Sequence, residues 1–418
     1  MEVVSGSREA AEQVREAKPP LLEGGHVLVV SEGYIAQSGG TVVMRNLLDQ
    51  FDPTSYSVVT LAPPKGKDEV IAGLDPRVSV HAALDPLPWL KRGRRLLLRL
   101  NYPLALSWAL RRARRTDPTV VVGATPMLFL SLARDIAYHL KRPWVAYLMD
   151  TIVENQQARW LVNRARRLQD HVLSEASSVL VVTHGLEDLF RSQYGAPAKC
   201  LPHCYAEPIP TDPTPGPLPP QALLGGRYYR INDRGLGRVV QAMDEVDVKV
   251  LLASSTTLEE LASQYGIKSP NLRQTFYNRR ADYLEALREQ GLLVVTLNWP
   301  DEVRTEDDQL ATAFPTRVVE YLASGKPILV HCPEHYYLTR FFREKRCGLV
   351  VSDRSVPALA DGVRRCLDGG PEIDAMRRAA LQAARLFSGA HLASLFRSEV
   401  EAAAKLQWSQ RAQTSWAS

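Results

Sequence analysis

Residues 311–334 read ATAFPTRVVEYLASGKPILVHCPE, which is a loop, a short helix and a strand. Pro315 and Thr316 open the helix, Gly325 stops it, and Pro327 bars its continuation. Thr316 and Glu320 stand four residues apart and so share one helix face. Backbone N–H groups left free at the helix start can hold a phosphate. A carboxylate one turn further in can accept hydrogen bonds from the two hydroxyls of a ribose. The plain alternative for Glu320 is a solvated carboxylate on a surface helix. Three other stretches have residue types fit for chemistry. In GHVLVVSEGYIAQSGGTVVMRNLL, from Gly25, the pair Gly39 and Gly40 lies between a strand and a helix without the full GxGxxG spacing of a dinucleotide site. GGRYYRINDRGLG, from Gly225, places Arg227, Arg230 and Arg234 between a strand and a helix. WVAYLMD, from Trp144, ends on Asp150 at the C-terminal end of a strand, where a carboxylate either works on a hydroxyl or caps the next helix.

These residues need a scaffold, and the rest of the pattern describes one. HVLVVS, SYSVVTLA, VSVHAAL, TVVVGAT, WVAYLMD and SSVLVVTH are continuous apolar runs, as expected of parallel strands covered on both faces. Helical patterns such as ARWLVNRARRLQDHVL separate them, giving a βα rhythm and a doubly wound sheet. Residues 207–221 then hold seven prolines in fifteen positions, which reads as a semi-rigid linker. The rhythm restarts with GGRYYRI, VKVLLASS, LLVVTLNW, PILVHC and GLVVSD, and a helical region follows, broken near Ser388 and Gly389. The expected organisation is an arm over 1–24, a Rossmann-like domain over 25–206, the linker over 207–221 and a second Rossmann-like domain over 222–387. A helix and tail over 388–418 would cross back to the first domain. Two such α/β domains in tandem face a central cleft, where open parallel sheets bind ligands.

FPTRVVEYLASGKPIL resembles the second-domain signature of nucleotide-sugar glycosyltransferases of the two-Rossmann (GT-B) fold, family 4 in particular. The order of elements along nearly the whole chain is similar as well. The resemblance implies that the second domain binds a nucleotide diphosphate sugar, with Glu320 on the donor ribose, Thr316 at the phosphate end, and Arg227 and Arg234, or Arg230, on the diphosphate. It implies that Gly39 and Gly40 let donor and acceptor approach the backbone, and that Asp150 lies near the reacting sugar. It further implies a hexosyltransferase-type enzyme acting with retention on an acceptor hydroxyl, in glycan or glycolipid synthesis. No cofactor and no metal are expected, because cations of the protein meet the leaving diphosphate. The family's first Glu falls at Thr312, a departure that bears on how the donor sugar is held. Alternatives on the same fold are a nucleotide-sugar epimerase and a noncatalytic donor-binding subunit.

Composition agrees with a globular protein. The 418 residues are 45% hydrophobic and 23% charged, enough apolar material for two cores. Five cysteines make no disulfide framework, and Cys200, His203 and Cys204 offer too few ligands to expect a metal site. The first twenty residues show no export signal, so a cytoplasmic location is expected. Charge is uneven: residues 86–115 carry nine basic side chains and no acidic one, whereas the net charge is +5. Interleaved with leucine and tryptophan, this stretch suits an anionic membrane surface, and the resemblance to two-Rossmann glycosyltransferases implies a lipid-linked acceptor on its inner face. Nucleic acid is not expected, since the aromatics do not form a stacking platform.

Overall fold

The computed structural model describes residues 18–406 apart from 33, 35–39, 62–74, 84–101, 154–158, 229–230 and 304–309. Strands β1 (Val27–Val30), β2 (Tyr56–Leu61), β3 (Ser79–Ala83), β4 (Val120–Ala124), β5 (Trp144–Leu148), β6 (Ser178–Val181) and β7 (Lys199–Cys200) build the first sheet. Its order is β3-β2-β1-β4-β5-β6-β7, and every pairing is parallel. The second sheet holds β8 (Gln221–Gly225), β9 (Lys249–Ala253), β10 (Leu272–Thr275), β11 (Leu292–Thr296), β12 (Ile328–His331) and β13 (Leu349–Val350). Its order is β10-β9-β8-β11-β12-β13, again all parallel. Both sheets therefore reverse direction at one crevice, between β1 and β4 and between β8 and β11, which is the arrangement of two Rossmann-like folds.

The apolar runs form strands because helices cover both faces. β1, β4, β5 and β11 are buried along their whole length. One strand sits elsewhere than expected. Where GGRYYRI suggests a strand, the described residues Gly226, Arg227 and Tyr228 are not one; β8 instead begins at Gln221, at the end of the proline-rich segment, and ends at Gly225. The apolar triplet Ala222, Leu223 and Leu224 fills the core there, and Gly226 at φ +92° turns the chain out of the sheet. The short edge strand β10, with only Leu272 fully buried, has no apolar run to announce it.

Between the sheets the chain crosses twice, and the two crossings touch. The Tyr205 amide donates to the Phe387 carbonyl at 2.8 Å, and Tyr205 pairs with Ser388. The helix Gly389–Lys405 then returns to the first sheet, where Leu392, Phe396 and Val400 are fully buried in its core. Phe396 meets Phe51 at 6.2 Å between ring centroids, and Glu399 accepts from Ser178 and Lys199 at 2.8 and 2.7 Å.

The proline-rich segment is anchored along its course by one buried arginine. Arg377 donates from Nε to the Gly325 carbonyl at 2.8 Å and from Nη2 to the Thr214 carbonyl at 2.6 Å, and it pairs with Asp374. Gly325, at φ +64°, ends the helix Arg317–Ser324, so a single guanidinium ties the linker to the helix that carries Glu320. Arg377→Ala should cost about 2–3 kcal/mol of stability, since hydrogen bonds from a charged donor to buried carbonyls are lost. Urea unfolding measures this. A stability equal to wild type would mean that the linker is held elsewhere.

Candidate functional site between the sheets

The loop entering the helix Arg317–Ser324 is clasped by side chains from the first sheet's half. Thr183 caps the helix His184–Tyr194 by accepting from the Leu186 amide at 2.9 Å, and its hydroxyl donates to the Thr312 carbonyl at 3.0 Å. His203 Nε2 meets the Phe314 carbonyl at 3.2 Å. This contact fixes the proton on Nε2, and burial pushes the imidazole down to about 4, so the ring is neutral. Phe314 stacks on Phe387 at 5.6 Å and packs edge-on against Phe341 at 5.0 Å. Thr312, standing where the resemblance places the first Glu, is itself buried.

Beside this clasp lies a cavity of about 170 Å³, walled by Asn46, His203 and Tyr205 on one side and by Gly226, Arg317 and Glu320 on the other. Glu320 projects into it from the first turn of its helix, as the spacing to Thr316 implies. Its carboxylate is not a solvated surface group: it is 15% exposed and paired with Arg280. Burial raises its pKa, while Arg280, a hydrogen bond from Tyr283 and the charge of Arg317 act in the opposite direction. Arg280 also approaches Glu207 in the linker at 3.9 Å and lies 5.9 Å from the Tyr205 ring centroid. Thr316 lines the same cavity, and its side chain makes no capping bond.

The remaining candidates are spread along the cleft. Arg227 follows Gly226 and is exposed, and its carbonyl accepts from Asn232 at 3.2 Å. Arg234 is 67% exposed and 4.0 Å from Asp233. The helix behind it is pressed onto β11 at Gly235, where a Cβ would come within 2.0 Å of Thr296 Oγ1. Gly40 is the first residue of the helix Gly40–Leu48. Gly39 and Arg230 lie outside the described residues. Asp150 follows β5 and reaches solvent, yet protein surrounds it on most sides, and this burial pushes the carboxyl up to about 6. It caps no helix, because residues 151–153 are not helical. Cys200, His203 and Cys204 do not converge: Cys200 lies with His184 and Glu187, which already pair with one another at 2.8 Å.

Arg280, Tyr283, Arg317 and His203 are cavity residues to which the sequence gives little guide. Arg280 and Tyr283 follow the inconspicuous strand β10, and a single histidine or arginine has no spacing to mark it.

With this geometry in view, the chain can be set beside known proteins. Residues 38–204 match the family profile of the glycosyl transferase 4-like domain. A search of curated proteins by sequence found no match. Among solved structures, the fold is similar to HepE of Anabaena in complex with UDP-glucose, with 13% identity over 90% of this chain and 98% of that one and a TM-score of 0.64. TarM of S. aureus superposes with a TM-score of 0.62 at 9% identity, over 91% and 100% of the two chains. An enzyme described as a putative UDP-N-acetylglucosamine 2-epimerase of Listeria monocytogenes gives 0.55 at 12% identity, over 88% and 94%. The resemblance to GT-B, family 4-like glycosyltransferases is thus met: a family 4-like profile spans most of the first half, and the chain has the GT-B fold.

The environment of Asp150 yields a direct measurement. Its carboxyl should titrate near pH 6, with the proton bound below that value and lost above it, as carbonyl chemical shifts assigned with Asp150→Asn would show. A midpoint near 4 would mean that Asp150 is solvated like a surface carboxylate.

Proposed function

We propose that this protein transfers a hexosyl group from a nucleoside diphosphate sugar to an acceptor hydroxyl. The observation that carries the reading is Glu320, a largely buried carboxylate in the first turn of a helix, facing a cavity between the ligand-binding edges of two Rossmann-ordered sheets. The bound UDP-glucose of the similarly folded HepE supports the donor class. In this reading the ribose hydroxyls donate to Glu320, and the donor displaces Arg280 from it. The diphosphate lies toward Thr316 and the start of the helix, within reach of Arg227 or Arg234. Cations aimed at the leaving diphosphate lower the barrier, because its charge grows toward the transition state, and no metal is needed for that step.

The acceptor enters from the first sheet's half, past Gly39 and Gly40. Asp150, its carboxyl raised by its surroundings, orients the acceptor hydroxyl. The oxygen of the acceptor forms the new bond to the anomeric carbon as the bond to the diphosphate breaks. Its proton passes to the departing phosphate on the same face, with retention. An epimerase on the same fold is the alternative, and the similar fold of the Listeria enzyme is its support. It would release altered sugar without an acceptor, which a product assay distinguishes.

Glu320→Ala should weaken nucleoside diphosphate binding by roughly 1–3 kcal/mol, the loss of hydrogen bonds to a charged acceptor. Calorimetry against UDP, ADP, GDP and CDP reads this directly, and unchanged affinity for a diphosphate that binds wild type would remove Glu320 from the ribose.

The acceptor is proposed to be lipid-linked and met at an anionic surface of the membrane's inner face, in glycan or glycolipid synthesis. Among the described residues no helix is long and apolar enough to cross a membrane. The helix Tyr102–Thr116 offers a surface instead: Arg111, Arg114 and Arg115 are exposed, Leu104 is 69% exposed, and Arg112 lies 4.8 Å from the Trp108 ring centroid. The basic residues up to Arg99 lie outside the described residues. Binding to anionic vesicles should exceed binding to neutral ones, fade with salt, and be lost in the Arg94, Arg95, Arg111 and Arg112 to Glu variant. Equal sedimentation with both lipids would point to a soluble acceptor.

A further inference from the structure

The start of the helix His184–Tyr194 gathers three donors of three kinds. His184 and Glu187 stand three residues apart on one face of that helix, and Cys200 comes to them from β7, the edge strand of the first sheet. A ring nitrogen of His184, a carboxylate oxygen of Glu187 and the Cys200 sulfur all lie within 4.8 Å of one another. Among the described residues no other three histidine, cysteine or carboxylate side chains converge in this way. Cys200 is also the one cysteine of the five that is not fully buried.

A histidine beside a carboxylate is not by itself a metal site. His171 and Glu175 show the same 2.8 Å contact along another helix, with Arg134 holding the carboxylate through Nε and Nη2. No third donor joins that pair. What sets His184 and Glu187 apart is a thiol brought from a second element.

The mixed set is chemically selective. Magnesium and calcium take oxygen donors, whereas zinc accepts nitrogen, oxygen and sulfur together. Its tetrahedral bonds of about 2.0–2.3 Å place neighbouring ligand atoms about 3.2–3.7 Å apart. His184 Nδ1 and Glu187 Oε2 stand 2.8 Å apart, so a slight parting of this pair and an inward move of the thiol make three corners. The other Glu187 oxygen accepts from Arg191 at 2.8 Å, the kind of outer contact that orients a ligating carboxylate. His184 and Cys200 line a cavity of about 640 Å³, which Tyr337 and Arg340 of the second sheet's half also wall, and a water from it can take the fourth corner.

We infer that His184, Glu187 and Cys200 bind a zinc ion. On binding, the thiol gives its proton to solvent, and the neutral imidazole keeps its proton on the ring nitrogen that does not coordinate. The site lies apart from the cavity that Glu320 faces and takes no part in the transfer. Its role is mechanical. His184 follows Thr183, and Cys200 stands three residues before His203, and these two hold the carbonyls of Thr312 and Phe314. The ion ties together the two segments that clasp the loop.

The test uses the full chain without a histidine tag, stripped by a chelator and then given zinc or cobalt(II) alone. Wild type should take up one zinc per chain in competition with a chromophoric chelator. Cobalt(II) should give the visible bands of a tetrahedral ion and a near-ultraviolet thiolate-to-cobalt band. Cys200→Ser should erase the near-ultraviolet band and lose at least about 100-fold in zinc affinity, since even an outer-shell partner is worth about 10–100-fold. His184→Ala should lose as much, and with a side chain 68% exposed it carries the comparison should the serine variant not fold. Zinc should raise the melting temperature of wild type and leave that of His184→Ala where it was. His171→Ala should bind zinc as wild type does. No zinc uptake by wild type, wild-type affinity in Cys200→Ser or His184→Ala, a cobalt spectrum without the thiolate band, or an equal loss in His171→Ala would overturn the inference.

Discussion

Two backbone carbonyls, those of Thr312 and Phe314, set the geometry of the cleft. Each is held by a side chain from the other sheet's half, Thr183 for the first and His203 for the second. A buried carbonyl must find a donor, and here both donors lie across the cleft, so the loop that starts the helix Arg317–Ser324 cannot shift without leaving them unmet. The close packing of Gly185 against the same loop leaves no slack, since a Cβ there would stand 3.1 Å from the Thr312 Cα. Where Thr316, Arg317 and Glu320 stand follows from that clasp.

The electrostatics of the cavity are unequal by construction. Glu320 is enclosed and paired, Arg280 is shared between Glu320 and the linker's Glu207, and Arg317 lies over the Tyr228 ring with Nε and Nη2 making no hydrogen bond among the described residues. Of the charged side chains that wall the cavity, Arg279, Arg280 and Arg317 stand against Glu320, so the wall holds an excess of positive charge, and an incoming anion is favoured there. Asp150 stands reachable at the end of β5 with a weakened acidity, caused by its surroundings rather than by a neighbouring charge.

Much of this scaffold was legible in the sequence because parallel strands covered on both faces must be apolar throughout. HVLVVS, TVVVGAT and LLVVTLNW could hardly be anything else. The helix start at Pro315 and its end at Gly325 were equally plain, and the spacing of Thr316 and Glu320 put both on one cavity wall. The signal failed where burial is partial or one-sided. β10 shows only Leu272 to the core, and β8 follows directly on prolines that suggest a linker. The partners of Glu320 were hidden for another reason: Arg280 comes from a helix forty residues earlier, and nothing local marks an arginine that folds back onto a distant carboxylate. Of the two roles the sequence leaves open for Asp150, the backbone of residues 151–153 removes the helix cap.

The return of the helix Gly389–Lys405 to the first sheet has a consequence for how the chain is made. Leu392, Phe396 and Val400 fill a core whose other members, such as Phe51 and Leu48, are synthesised at the opposite end of the message. A ribosome releases the first half of the chain long before these residues exist, and domains ordinarily fold in the order they emerge. The early half therefore waits with an apolar face uncovered through the synthesis of the whole second sheet, and a helix translated after that sheet is the one that seals it. Shortening the protein from its C-terminus would be felt first in the part that was made first.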